Sequence, residues 1–161
     1  MSQRFRWGHV NINVSDLDAS IGFYAKLGFE VMMPSIPYLN VEAGHWKAVT
    51  PAAAQALGIP GDVQARGCIL QLGKGFPKLD LTEFSKTQAR EPLHNTDRGI
   101  VRLCLASSDL QADHQYLVDA GVTFRSAPTA CEQRMADVAV CVDPDGTLIE
   151  LIQIHAHRWR S

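Results

Sequence analysis

Residues 8–17 and 101–110 share one pattern: a run in which apolar positions recur at every second residue, closed in both cases by Ser-Asp-Leu. A period of two predicts a β-strand with one covered face. Both runs pass into segments of helical spacing, residues 17–27 and 110–120. Ile21, Tyr24, Ala25 and Leu27 mark the apolar face of the first, and Leu110, His114, Leu117 and Val118 that of the second. Asp16 and Asp109, or the serines before them, are placed to cap the helix N-termini. Gly28 and Gly121, each twelve residues after its aspartate, are placed to end the helices in a left-handed conformation. A short strand follows each glycine, residues 29–33 and 122–125. The offset between the copies stays at 93 residues throughout, so the chain is an internal repeat of two βαβ units.

Each unit continues with further strands. Residues 138–142 and 147–154 flank the turn Asp143-Pro144-Asp145-Gly146, and residues 68–72 and 78–82 flank Gly73-Lys74-Gly75-Phe76-Pro77. The first copy is longer: His9 to Asp80 spans 71 positions and Arg102 to Glu150 spans 48, leaving 23 extra residues. These fall between Pro34 and Arg66, where residues 50–58 predict an added short helix with Pro51 in its first turn and Gly58 at its end. Residues 91–99 are polar and turn-rich and link the units.

Alternation also sorts the faces. Val10, Ile12 and Val14, with Leu79 and Leu81, are expected to cover the first helix. His9, Asn11 and Asn13, with Lys78, Asp80 and Thr82, face the other way. In the second copy Leu103, Leu105, Ile149 and Leu151 take the helix side, leaving Arg102, Cys104 and Ala106, with Leu148, Glu150 and Ile152, opposite. His9, Asp80, Arg102 and Glu150 therefore all lie on faces turned from the helices. If the two sheets join edge to edge, those faces line one cup, where such groups need pairing, metal ligation or solvent access.

Composition narrows the functional classes. The chain has 161 residues, 46% hydrophobic and 20% charged, with a formal net charge of −2. That is a globular composition with no basic stripe, which argues against nucleic acid as a partner. Residues 1–8 carry Arg4 and Arg6 but no following apolar stretch, so no signal peptide is expected. Apolar runs are strand-sized, too short for a membrane helix. Cys68, Cys104, Cys131 and Cys141 are widely spaced and read as free thiols, with Cys104 and Cys141 as small buried hydrophobes. The expected location is the cytoplasm. His155 and His157 read as tail residues.

His9 in the opening strand, Asp16 at the helix start, Phe23-Tyr24 before Leu27-Gly28-Phe29, and the closing Asp143-Pro144-Asp145-Gly146-Thr147-Leu148-Ile149-Glu150-Leu151 together resemble the vicinal oxygen chelate superfamily. That superfamily includes glyoxalase I, methylmalonyl-CoA epimerase, extradiol dioxygenases, and fosfomycin- and bleomycin-resistance proteins. The resemblance runs over residues 8–153. It implies an α+β fold of two tandem βαβββ modules forming a curved mixed sheet around a cup-shaped cavity. The whole of 1–161 is then a single domain: module one over about 7–87 with the added segment 34–66, a linker over 88–98, and module two over about 99–157.

In metal-binding members each opening and closing strand supplies one ligand. Carried over by resemblance, those positions are His9, Asp80, Arg102 and Glu150; Glu83 is a rival to Asp80, but alternation puts it on the helix side. Arg102 departs from the pattern, because a guanidinium stays protonated and has no lone pair to give a metal. His9, Asp80 and Glu150 can still form a face for one divalent ion (Fe, Mn, Zn, Ni or Mg). Arg102 can equally pair with Glu150 or Asp80 and neutralise the cup. The preferred expectation is no cofactor.

The resemblance then implies an enzyme acting on a small oxygenated metabolite by proton transfer next to a carbonyl, an isomerase, epimerase or lyase. Arg102 would steady a developing oxyanion, and Glu150 or Asp80 would move the proton with His9 as partner. Arg102, Asn11, Asn13, Cys104 and Trp46 are the candidate substrate-binding residues. The alternatives are a non-catalytic small-molecule or drug-binding resistance protein, and a metal-dependent lyase or dioxygenase. A homodimer is implied by resemblance alone.

Overall fold

The computed structural model describes residues 4–158, so residues 1–3 of the N-terminal stretch read above lie outside it. The chain divides into two compact units, Met1–Ala89 and Arg90–Ser161. Both are mixed α+β and both carry the βαβββ order, as the repeat predicts.

In the first unit, β1 (His9–Asn13) leads through α1 (Leu17–Lys26) to β2 (Phe29–Met33), and later to β6 (Gln64–Leu72) and β7 (Lys78–Phe84). These four lie in the order β1-β7-β6-β2, with β1 parallel to β7 and the remaining pairs antiparallel. Between β2 and β6 comes the added segment: β3 (Ser35–Ile36), a 3-10 turn (Pro37–Leu39), β4 (Val41–Glu42), β5 (Lys47–Ala48) and α2 (Pro51–Leu57). The second unit repeats the plan with β8 (Arg102–Ala106), α3 (Leu110–Asp119), β9 (Phe124–Ala130), β10 (Ala136–Val142) and β11 (Leu148–Ile154), in the order β8-β11-β10-β9.

The two ladders share one register. His9 lies opposite Lys78 and Asn11 opposite Asp80; Arg102 lies opposite Leu148 and Cys104 opposite Glu150. His9 and Arg102 are therefore structural counterparts, as are Asp80 and Glu150, and Lys78 and Leu148.

The helices start where their aspartates permit. Asp16 Oδ1 accepts from Ala19 N at 3.0 Å and Asp109 Oδ1 from Ala112 N at 3.1 Å, each satisfying a first-turn donor. A second oxygen arrives from the closing strand: Glu83 Oε2 accepts from Leu17 N and Gln153 Oε1 from Leu110 N, both at 2.9 Å. The buried face of α1 runs through Leu17, Ser20, Phe23 and Tyr24, and that of α3 through Leu110 and Leu117. Ala25 and Val118, expected on those faces, are exposed. The stripe is set by the residue at which each helix docks, Leu17 or Leu110, rather than by the later apolar positions.

β9 begins at Phe124 rather than at the expected residue 122, because Val122 N still bonds back to Leu117 O and closes the helix. The added helix forms as expected. Thr50 caps it, Pro51 occupies its first turn, and Gly58 at φ 65 ends it in the left-handed region.

The first sheet is covered on both faces. Leu79 and Leu81 of β7 are buried on the α1 side. On the opposite side the added segment builds its own cluster from Ile36, Leu39, Val41, Val49, Ala53 and Ala54, packed on Ala65 with Ile69 and Phe84 at its margin. Gly67 lies under this cover: a Cβ there would meet Leu81 O at 2.6 Å and Ile36 Cδ1 at 2.7 Å, so only glycine admits the segment. The cover reaches over one end of the face that carries Asp80, with Tyr38 in its 3-10 turn. No helix among the described residues is long and apolar enough to cross a membrane.

Candidate functional site

In the first unit, β1 and β7 bring His9 and Asp80 together on the face away from α1, with His9 Nε2 at 3.6 Å from Asp80 Oδ2. The parallel pairing does this directly, since Asn11 is opposite Asp80 and His9 is two residues back on the same face. Asp80 is fully buried, where a strand-end carboxylate is often solvated, whereas 43% of the His9 side chain is exposed. Burial of a carboxylate requires partners. One comes from the added segment: Tyr38 donates its hydroxyl hydrogen to Asp80 Oδ2 at 2.8 Å, stacks on His9 with centroids 5.5 Å apart, and brings its oxygen to 3.4 Å from His9 Nε2. Burial, and then the Asp80 carboxylate that accepts its proton, push the Tyr38 hydroxyl well above its ordinary range, so it stays a neutral donor. Asp80 Oδ1 is buried with no hydrogen-bond partner in the structure.

The neutral polar residues of this face are spoken for. Thr82 Oγ1 donates to Asn11 Oδ1 at 3.1 Å, and Asn11 Nδ2 donates to Asn13 Oδ1 at 2.8 Å, so Asn11 and Asn13 form a short chain along β1. Glu83 lies on the helix side: besides receiving Leu17 N, its Oε2 accepts from Arg66 Nε at 2.7 Å, and Arg66 also reaches Asp18 at 2.8 Å. Trp46 stands over that same guanidinium at 5.7 Å, which places it with Arg66.

In the second unit Arg102 and Glu150 form an ion pair through Arg102 Nε and Glu150 Oε2. Arg102 Nη1 also donates to Asn95 Oδ1 at 3.0 Å, from the stretch between the repeats. Glu150 is half-buried, while 40% of the Arg102 side chain is exposed. Cys104 sits beside the carboxylate, with Sγ 3.6 Å from Glu150 Oε1. Burial, followed by the Glu150 charge, pushes its thiol up. Cys104 is exposed, unlike the buried position expected for it, because it shares the face of Arg102; Cys141, on the helix side, is buried.

His155 is not a tail residue. Its Nε2 lies 3.0 Å from Asp137 Oδ2, and its side chain is mostly buried, because the chain after β11 turns back through Ala156–Arg158.

Neither unit by itself offers a complete donor set for a metal ion. In the first unit two donors are present, and a neutral phenol hydroxyl stands between them. In the second the one carboxylate is engaged by a guanidinium, which carries no lone pair. Within neither unit, among the described residues, do three His, Cys, Asp or Glu side chains gather in a way that could hold a metal.

Tyr38 and Asn95 are absent from the sequence-derived site. Tyr38 lies in an irregular segment where periodicity assigns no face; the one signal is Pro37, which starts the 3-10 turn that aims it. Asn95 sits in a stretch without strand or helix, and nothing in its neighbours marks it.

Comparison with known proteins agrees with the fold. The family model of the Glyoxalase/Bleomycin resistance protein/Dioxygenase superfamily matches residues 6–151. Lactoylglutathione lyase of Schizosaccharomyces pombe is 24% identical over 157 residues, covering 92% of this chain and 45% of that protein. This chain thus spans about half the length of that curated relative. Among solved structures, a glyoxalase family protein from Bacillus cereus superposes with a TM-score of 0.75 at 17% identity, covering 95% of this chain and 96% of the other. Glyoxalase I from Zea mays does so with a TM-score of 0.63 at 18% identity, covering 92% of this chain and 44% of that one.

Proposed function

This chain belongs to the Glyoxalase/Bleomycin resistance protein/Dioxygenase superfamily, and from that membership we propose that it is a metal-independent enzyme moving a proton next to the carbonyl of a small oxygenated metabolite. The reaction class is isomerase, epimerase or lyase. It would work in the cytoplasm as a homodimer.

The observation that carries this proposal is an exposed imidazole backed by a buried carboxylate. His9 Nε2 faces Asp80 and the Tyr38 oxygen, so the tautomer with hydrogen on Nε2 leaves the Nδ1 lone pair to accept a proton. Asp80 is sealed beneath Tyr38 and cannot reach a substrate, so His9, rather than either carboxylate, is assigned the proton. Asp80 then offsets the imidazolium charge and Tyr38 fixes the ring plane. Removing a C–H proton α to a carbonyl sends the electron pair towards oxygen. That developing oxyanion needs a hydrogen-bond donor or a cation beside it. Returning the proton to carbon completes an isomerisation or epimerisation; expelling a leaving group from the enolate completes a lyase reaction.

The test is solvent-deuterium exchange into hydroxyacetone and pyruvate, followed by proton NMR. The unmutated protein should exchange the α-protons in the presence of EDTA. His9→Gln should slow exchange at least about 100-fold. No exchange by the unmutated protein, or exchange that EDTA abolishes, overturns the proposal. A non-catalytic binding protein is the second reading. What favours it is that both carboxylates are already engaged, Asp80 by Tyr38 and Glu150 by Arg102.

A further inference from the structure

Lys78 is the one lysine among the buried polar and charged residues, with 8% of its surface exposed. It opens β7, directly opposite His9, on the face that also carries Asp80. An ammonium has three donors. Here they meet a single acceptor, the amide oxygen of Gln71 at 3.0 Å, while the ring of Phe76 lies 5.0 Å from the nitrogen. No carboxylate among the described residues pairs with it. Glu30 reaches it only through the Gln71 amide, whose Nε2 donates to Glu30 Oε1 at 2.7 Å.

A desolvated cation with a neutral partner is costly, and a sheet position does not ordinarily hold one without a reason. The repeat supplies the comparison. The counterpart of Lys78 in the second unit is Leu148, which pairs with Arg102 as Lys78 pairs with His9, and it is buried at 4% exposure. The fold is therefore satisfied at this position by an apolar side chain. In the second unit the cation of this face, Arg102, is neutralised by Glu150. In the first, Lys78 is left with donors to spare.

We propose that Lys78 binds an anionic group of the substrate, so that the metabolite is a small carbonyl acid, its anion a carboxylate or a phosphate. This rests on the proton-transfer reading of His9 and names the substrate class for it. The anion is held by the ammonium, with Phe76 shielding the charge from water. The reacting carbon is then presented near His9, the residue paired with Lys78 across the β1–β7 ladder.

The experiment is NMR titration of the full-length protein with acetate, pyruvate and inorganic phosphate at constant ionic strength, each read at the backbone amides of Gln71, Phe76 and Lys78. Methyl pyruvate serves as the neutral counterpart of pyruvate. At least one anion should bind, and Lys78→Leu should weaken it by about ten- to a hundredfold, the loss expected for one charge-assisted contact. Lys78→Arg should retain most of the affinity, and methyl pyruvate should be indifferent to both changes. Acetate or pyruvate ahead of phosphate identifies a carboxylic acid; the reverse identifies a phosphorylated metabolite. Thermal unfolding of Lys78→Leu, built to match Leu148, should give an unchanged or higher Tm. A lowered Tm with anion affinity intact would make Lys78 structural and overturn the proposal, as would binding of none of the three anions. Equal exchange of hydroxyacetone and pyruvate with no anion preference would overturn it while leaving the proton-transfer reading standing. Anion binding without deuterium exchange would do the reverse.

Discussion

Replacing Tyr38 by phenylalanine keeps a ring against His9 and removes the hydrogen bond donated to Asp80 Oδ2. Asp80 Oδ1 already lacks a partner, so the change strips the buried carboxylate of its hydroxyl donor. A loss of about 1–3 kcal/mol is expected, measured by urea unfolding near pH 7. The same variant has a second signature. Burial and Asp80 raise the ionisation of Tyr38 in the folded chain, so phenolate is favoured only after unfolding. Below the unfolded value of about 10 this costs nothing; stability is lost as pH rises from there towards the folded value. Unfolding measured between about pH 9 and 11 should show this decline in the unmutated protein and a shallower one in Tyr38→Phe. Strand alternation made it legible that His9 and Asp80 both turn away from the helix, because both belong to regular strands whose faces follow from period two. It could not reach Tyr38, whose direction is set by a 3-10 turn and by the packing of Ile36 and Leu39.

Two strand residues act on helix termini. Glu83 of β7 and Gln153 of β11 occupy matching positions and accept from Leu17 N and Leu110 N, the first backbone donors of α1 and α3. Glu83 carries a further partner, the half-buried Arg66, which links it to Asp18. Its removal leaves an unpaired donor and a guanidinium short of its counter-charge, whereas loss of Gln153 strands only neutral groups. Glu83→Ala should therefore destabilise by about 1–3 kcal/mol more than Gln153→Ala, read from denaturant midpoints with the slope unchanged. The helices, their aspartate caps and the central strands were readable from spacing because each obeys one local period. The two-residue strands β3, β4 and β5 were not, since they exist only by pairing with each other and with β6. Tyr24, Leu110 and Leu117 were read on the right faces, and only Ala25 and Val118 were not, because docking at Leu17 and Leu110, supported from the closing strands, decides which side turns inward.

Across the molecule the two units follow one plan and differ in cover. All of Lys78 to Thr82 in β7 is buried, with α1 on one side and the cluster of the added segment over part of the other. Its counterpart β11 keeps Glu150, Ile152 and Gln153 only half-buried. Amide hydrogen exchange should accordingly be slowest in β6 and β7, and faster in β11 and at the edge strand β9. Comparable protection of β7 and β11 would mean that the cover adds nothing to the stability of the first sheet. The tandem plan was visible in the constant offset of the repeats. The cover was visible only as extra length, because an irregular segment carries no periodicity to place it. That segment seats on the sheet: Ile36, Leu39, Val41, Val49, Ala53 and Ala54 pack together with Ala65 of β6, and one glycine, Gly67, clears the seat. A stretch inserted between two strands that pair with each other, β2 and β6, can be traded between lineages as a cassette. Descendants of this chain could thereby acquire a new roof, and with it a different residue where Tyr38 stands, while inheriting the floor of the site unchanged.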